Sequence, residues 1–287
     1  MECEFSRIIV TGNDRASFLH NFCTNNIRAL EPGKAIEAFF TDVRARVLGF
    51  GYVIAHESRH EIWQAGPSPE RLFKHLSRYV IREDVHFLVP DHDQVSILRL
   101  GDNSGSEAMP SAVAGSGDLE MMLRFSWNRH SLVAVTGQYS APSEELTNVL
   151  QSARPVTISE FNALRIAERF PVPGIDMTDE HLAPEGGRNA TAISYTKGCY
   201  LGQEPIARLD AMGHVNRLLK CLKVDGNVSL SGADVQTETG TTLGVISSSS
   251  TTGVSSLGLA ILKLAHPAKT VVLSDGTKLD VAAVEPI

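Results

Sequence analysis

Four cysteines in 287 residues, none in a C-x-x-C pair, are too few and too scattered for a disulfide framework or a zinc ribbon. No apolar run approaches the roughly 20 residues that a membrane-spanning helix needs. Basic residues are not in excess: 26 Lys and Arg face 33 Asp and Glu, a formal charge of −7. That argues against a whole-molecule grip on nucleic acid or anionic lipid and leaves only local basic patches open. The opening residues, Met1 to Arg7, hold no apolar signal segment, so a cytoplasmic, reducing setting is predicted. What the chain does have is apolar material. At 43% hydrophobic and 21% charged it can bury a sizeable core without disulfides or metal. Its length suggests roughly two domains.

Arg7 to Val10 reads as a short strand, Gly12-Asn13-Asp14 as a helix start, and Phe18, Leu19 and Phe22 as one helix face. Ala35 to Phe40 and Arg46 to Ala55 read as paired strands, with Gly49 and Gly51 marking a bulge or a close approach. Ser68-Pro69-Glu70 starts a helix with Leu72, Leu76 and Tyr79 on its buried face. Residues 85–100 read as strand, turn, strand. The Gly- and Ser-rich stretch from Asp102 to Asp118 reads as a loop, Leu132 to Val135 as a strand, and Ser143 as a helix cap before Leu146, Val149 and Leu150. Thr157-Ile158-Ser159-Glu160 is a capping box opening a helix that ends before Pro171.

Residues 171–214 read as mostly irregular, and a stretch of that length in a compact chain points to function. Ile193, Tyr195, Tyr200, Leu201 and Ile206 are its predicted anchors. After Val215 short β-type runs alternate with turns, ending on the Asp275-Gly276 hairpin signal, and Ser247 to Ser256 reads as a hairpin loop. The fold class is therefore α+β, with an α+β region over 1–214 (two interleaved subdomains) and a C-terminal β-barrel over 215–287.

The informative segment is Lys197-Gly198-Cys199-Tyr200-Leu201-Gly202-Gln203-Glu204, continuing to Arg208. Two glycines bracket the cysteine and permit a tight backbone. Lys197 beside Cys199 would favour the thiolate. Gln203, Glu204 and Arg208 supply an amide, a carboxylate and a guanidinium, groups that suit a pterin edge and an anionic tail. A structural turn with a buried, inert cysteine is the plain alternative, and composition alone leaves the two open.

The octapeptide resembles the K-G-C-[FY]-x-G-Q-E signature of the YgfZ-type folate-binding proteins, a family related to the T-protein (aminomethyltransferase) of the glycine cleavage system. Asn13 to Leu19 and Cys23 to Ile27 resemble the family's N-terminal pattern, with Cys23 and Asn26 as departures. Arg165-Ile166 before Pro171 resembles its R-I-x-x-G-I-P segment, with Arg169-Phe170 in place of Gly-Ile. Gly174 to Asp176, Leu182 to Glu185 and Gly213 to Arg217 complete the match, which is weakest over 90–150. The resemblance implies three subdomains around a folate site and a tetrahydrofolate-linked role in assembly or repair of iron–sulfur clusters. Implied clients include tRNA-modifying enzymes, with no direct nucleic-acid or membrane partner. It makes Cys199 a functional thiol with Lys197 as its partner. Asn25, Glu185, Gly198, Tyr200, Gly202, Gln203, Glu204 and Arg208 become candidate folate residues. Arg208 also stands at helical spacing from Glu204, and Glu185 suits an aminopyrimidine ring or a cap.

Two rival readings remain. T-proteins carry an Asp near the folate N5, and the matching stretch, about Ala45 to Phe50, has no carboxylate. Their pterin-holding Glu falls on Ala167, with Glu168 one step, about 100°, around the helix. The other rival is a folate-binding scaffold without catalysis, since no Ser/His/Asp or paired-carboxylate group is legible. Of ten histidines only His214 lies beside the signature.

Overall fold

The structure, a computed structural model, describes residues 5–66, 68–90, 95–99, 111–114, 121–125, 127, 132–136, 147, 151, 153–263 and 269–281. The first layer is a five-stranded sheet built from β1 (Phe5–Thr11), β2 (Ala35–Thr41), β3 (Val47–Ala55), β4 (His60–Ala65) and β5 (His86–Leu88), in the order β2-β3-β4-β1-β5. Side-chain alternation divides this sheet between two cores. Ile8, Val10, Ala38, Phe40, Val53 and Ile62 meet helices α1 (Arg15–Phe22) and α2 (Glu70–Ser77) through Phe18, Leu19, Leu72 and Leu76. Phe5, Phe39, Phe50, Tyr52, Ile54 and Trp63 point the other way, into the larger core. Gly51 is required here: a Cβ would lie 1.9 Å from the Trp63 carbonyl oxygen. Ser68 Oγ accepts from the Glu70 amide and so caps α2.

The second sheet pairs β6 (Val95–Arg99), β7 (Ser111–Ala114), β8 (Met121–Arg124), β9 (Leu132–Thr136) and β10 (Arg154–Pro155), in the order β10-β6-β9-β8-β7. The stretch read as a loop over 102–118 thus contains β7, held by its ladder to β8. The helix expected after Ser143 lies, at its cap and apolar positions, outside the described residues. Helix α3 (Ile158–Ala167) closes this side; its Thr157 side chain accepts from the Glu160 amide as the capping box predicts. Phe161, Phe125, Trp127 and Phe170 bring α3 and the second sheet onto the first.

Six strands form a closed barrel: β11 (Arg217–Asp225), β12 (Asp234–Gln236), β13 (Thr242–Thr251), β14 (Ser255–Lys263), β15 (Thr270–Leu273) and β16 (Lys278–Val281). Closure removes free edges. The serine run is a strand, not a loop, because its side chains are used inward. Arg165 on α3 donates to Asp176 at 2.9 Å and to Ser248 Oγ at 2.9 Å. Ser247 Oγ donates to Asp176 at 2.6 Å, and Ser250 Oγ to the Ser159 carbonyl at 3.1 Å. A polar run that satisfies buried partners reads in sequence like a solvated loop.

Candidate functional site

The segment between α3 and the barrel holds more helix than its composition suggests. After a 3-10 turn, Ala183–Gly186, come the short helix α4 (Asn189–Ala192) and the ten-residue α5 (Gln203–Met212). Between them runs the signature loop, laid over the end of α1 and the β2–β3 turn.

Lys197 fixes it from below. Its Nζ donates to the carbonyls of His20 (2.5 Å), Cys23 (2.7 Å) and Asn25 (2.8 Å), capping the end of α1 where unpaired carbonyls and the dipole favour a cation. The ammonium also lies 4.8 Å from the centre of the Tyr200 ring. Burial pulls Lys197 down to about 8 and pushes the Tyr200 phenol upward. The Lys197 ammonium, expected beside the Cys199 thiol, is bonded inward to the end of α1, and Cys199 is exposed.

Gly202 starts α5 in the left-handed region (φ 84°), where a Cβ would lie 2.5 Å from the Asp42 carbonyl oxygen and 2.7 Å from Thr41 Oγ1. Thr41 Oγ1 also donates to the Leu201 carbonyl, and the Leu201 amide donates to the Asn21 carbonyl. Gly198 differs: a Cβ there meets nothing within 4 Å. Of the predicted anchors, Ile193, Tyr200 and Ile206 are buried, and Tyr195 is 41% exposed.

Other candidates divide in the same way. Asn25 Nδ2 donates to the Glu37 and Thr191 carbonyls, and its Oδ1 accepts from the Asn26 amide, so its amide joins α4 to the first sheet. Glu185 is buried, accepting from the Leu182 amide at 2.9 Å and from Arg217 Nε at 3.0 Å; of its two expected roles, the structure shows the cap. Glu204 and Arg208 are exposed on α5 and do not pair with each other, and neither they nor Gln203 bond through their side chains to any described residue. They remain open to a ligand.

Beside α5 lies a cleft of about 360 Å³, lined among others by Asn189, Tyr195, Asp210 and His214. Asn189 Oδ1 is buried there without a hydrogen-bond partner, an acceptor that a donor-bearing ligand would satisfy. His214 Nδ1 donates to the Met212 carbonyl at 2.9 Å. Sequence reasoning passed over Asn189 because a lone Asn at a helix start reads as a cap. It also passed over Glu37, which takes a bidentate grip from buried Arg188 (2.6 and 2.5 Å), because a Glu inside an apolar strand carries no motif. Among the described residues no group of three His, Cys, Asp or Glu could hold a metal ion. Cys23 and Cys221 are buried, and burial raises both thiols, Cys221 to about 11.

The fold has a solved counterpart in the glycine cleavage system aminomethyltransferase T of Bartonella henselae. That likeness has a TM-score of 0.78 at 15% identity and covers 98% of this chain and 83% of that one. The tRNA-modifying protein YgfZ of Colwellia psychrerythraea is 25% identical over 230 residues, 76% of this chain and 69% of that protein. The chain is thus similar in sequence to a YgfZ protein and in fold to an aminomethyltransferase. A mitochondrial iron–sulfur cluster assembly factor homolog of Pyricularia oryzae is 24% identical over 279 residues, 90% of this chain and 69% of that one. A putative chloroplastic transferase of Arabidopsis thaliana is 27% identical over 226 residues, 71% of this chain, which spans about half of that relative's length. No protein-family model matches the chain. No helix among the described residues is long and apolar enough to cross a membrane.

Proposed function

We propose that this protein binds tetrahydrofolate and supports assembly or repair of iron–sulfur clusters in client enzymes, tRNA-modifying enzymes among them, with Cys199 as the acting thiol. The observation that carries the reading is the exposed Cys199 on a loop pinned by the Lys197 cap and by Gly202. A thiol presented this way is accessible to a partner without opening the fold. The relatives named for tRNA modification and for iron–sulfur cluster assembly support the client class. A single cysteine does not hold a cluster, so the cluster or its precursor is cargo whose other ligands come from the client or a donor protein.

The groups present fit a folate. Pterin N–H donors match the unpartnered Asn189 Oδ1 and the Asp210 carboxylate, the half-exposed Tyr195 ring offers a stacking face, and Arg208 offers a cation for the acidic tail. A cytoplasmic setting belongs to the same proposal. An aminomethyltransferase activity fits less well. Across Ala45 to Phe50 there is no carboxylate; Gly49 backs onto Leu72 and Gln64, and Phe50 packs between Phe39 and Phe170. That stretch supplies no negative charge for a reacting nitrogen.

The test is a tetrahydrofolate titration of wild type and Cys199→Ala beside rescue of an iron–sulfur enzyme in cells lacking the protein. Equal folate binding with rescue only by the wild type is the expected result. Full rescue by Cys199→Ala overturns the role of the thiol and leaves a folate-binding scaffold. Absence of folate binding by the wild type overturns the ligand.

A further inference from the structure

A cleft of about 520 Å³ lies where the first two turns of α3 meet barrel strand β13 and the β11–β12 loop. It shares no lining residue with the cleft beside α5. Its size is that of a small-molecule site, about 300–1,000 Å³. Its walls are set before any ligand arrives. The Gly226 amide donates to the Val254 carbonyl at 2.8 Å and the Val228 amide to Ser256 Oγ at 2.8 Å, which pins the β11–β12 loop. Strand β13 is laddered to β14, and Arg165 ties α3 to the barrel.

The described residues that line this cleft carry no charge. Two of them have fixed hydrogen-bond roles. Asn162 is 8% exposed, and its Oδ1 accepts from Arg165 Nε at 2.8 Å. An arginine nitrogen only donates, so the Asn162 amide cannot turn over. Its Nδ2 bonds no described residue and is left as the donor end that the cleft can use. Ser250 is 9% exposed, and its hydroxyl donates to the Ser159 carbonyl at 3.1 Å, so its Oγ is left to accept. The hydroxyls of Ser159, Ser249 and Thr251 bond no described residue and are free to rotate into either role. Ile158 and Val228 add apolar surface to the same walls.

This lining discriminates between ligands. A cation finds no carboxylate. An oxyanion brings acceptors only, and Ser250 Oγ has no proton left for it. A ligand hydroxyl both donates and accepts, so neighbouring hydroxyls satisfy Asn162 and Ser250 together while C–H groups cover Ile158 and Val228. We propose that this cleft binds a neutral polyhydroxylated ligand, either a free sugar or the sugar portion of a larger molecule. The site stands apart from the thiol and from pterin recognition.

The test is a titration of the full, isotope-labelled chain with D-ribose, D-glucose, methyl β-D-ribofuranoside and inorganic phosphate. The readout is the Asn162 side-chain amide resonance, which Asn162→Asp identifies by its disappearance while keeping an acceptor for Arg165. At least one sugar should shift that resonance saturably, with a Kd in the millimolar range or tighter, and phosphate should leave it in place. The double variant Ser249→Ala, Thr251→Val alters hydroxyls that the fold does not use. It should weaken sugar binding about fivefold or more at an unchanged melting temperature. Binding of the free sugars assigns a free sugar, and binding of the methyl glycoside alone assigns the sugar portion of a larger molecule. The proposal is overturned if no sugar shifts the resonance, if the double variant binds as the wild type does, or if phosphate shifts it in their place. No probe contains a pterin, so failure here is separable from failure of folate binding.

Discussion

Replacing Lys197 by methionine separates two roles that the sequence leaves confounded. The alkyl stem is roughly preserved, so the substitution removes the ammonium and little volume. It leaves the carbonyls of His20, Cys23 and Asn25 without their shared donor at the end of α1. A buried acceptor left unpaired costs about 1–3 kcal/mol. The three share one donor, and the lost ammonium no longer has to be desolvated, so the net cost is about 3 kcal/mol rather than the sum. At about 2–4 °C per kcal/mol for a chain of this size, the melting temperature falls by roughly 6–12 °C. The Cys199 thiol is exposed, and the Lys197 ammonium is held by three carbonyls. The thiol's rate of reaction with a neutral disulfide reagent, measured across pH, should therefore follow the wild-type curve at temperatures where both proteins are folded. The opposite pattern, an unchanged melt with a slowed and shifted thiol reaction, would refute the cap and restore Lys197 as the activator of Cys199.

Other consequences follow from the same geometry. Gly202→Ala should cost about 2–4 kcal/mol in denaturant titration, since its Cβ would meet two oxygens in a left-handed turn, whereas Gly198→Ala should stay within about 0.5 kcal/mol. Equal effects would deny the distinction. Burial holds His60 down to about 4 from 6.5, so the unfolded chain takes up a proton that the folded chain refuses. The His60 contribution is full above pH 6.5 and falls by about 3 kcal/mol as pH drops toward 4, and His60→Phe should remove that share of the acid limb of a melting-temperature profile. Arg165→Met breaks the buried link from α3 to Asp176 and Ser248 and should destabilise by about 3–5 kcal/mol. A loss under 1 kcal/mol in urea unfolding would show that the barrel is held by other contacts.

The parts legible from sequence are those in which local pattern and tertiary environment agree. The paired strands β2 and β3, the Thr157 cap and the last barrel hairpin each satisfy a short-range rule, and the structure keeps them. The errors fall where tertiary partners override composition. Serines 247–250 read as solvent-facing because nothing local reveals Asp176, Arg165 and the Ser159 carbonyl across the α3–barrel junction. The Glu204–Arg208 spacing holds on α5, yet exposed pairs at that spacing stabilise so little that the side chains need not meet. Lys197 is the sharper case. Two residues from a cysteine it reads as an activator, and only the approach of α1, about 175 positions earlier in the chain, turns it inward.

A recurring motif mixes residues that build a loop with residues that use it, and burial is what separates them. Lys197, Tyr200 and Gly202 are committed to α1 and the β2–β3 turn, so substituting any of them disturbs the platform before it disturbs chemistry. Cys199, Glu204 and Arg208 are exposed, and Gln203, Glu204 and Arg208 make no side-chain bond to any described residue, so they are free to meet a second molecule. A mutational scan scored by both melting temperature and client rescue should therefore sort the octapeptide into two classes. Substitutions at 197, 200 and 202 should lower both readouts together, whereas those at 199, 203 and 204 should lower rescue at unchanged stability. Rescue that tracked melting temperature at every position would mean that the loop acts only as scaffold. An unchanged melt with lost rescue at Cys199 would place the function at the exposed thiol, where the encounter is with a second molecule and not with a group of this chain.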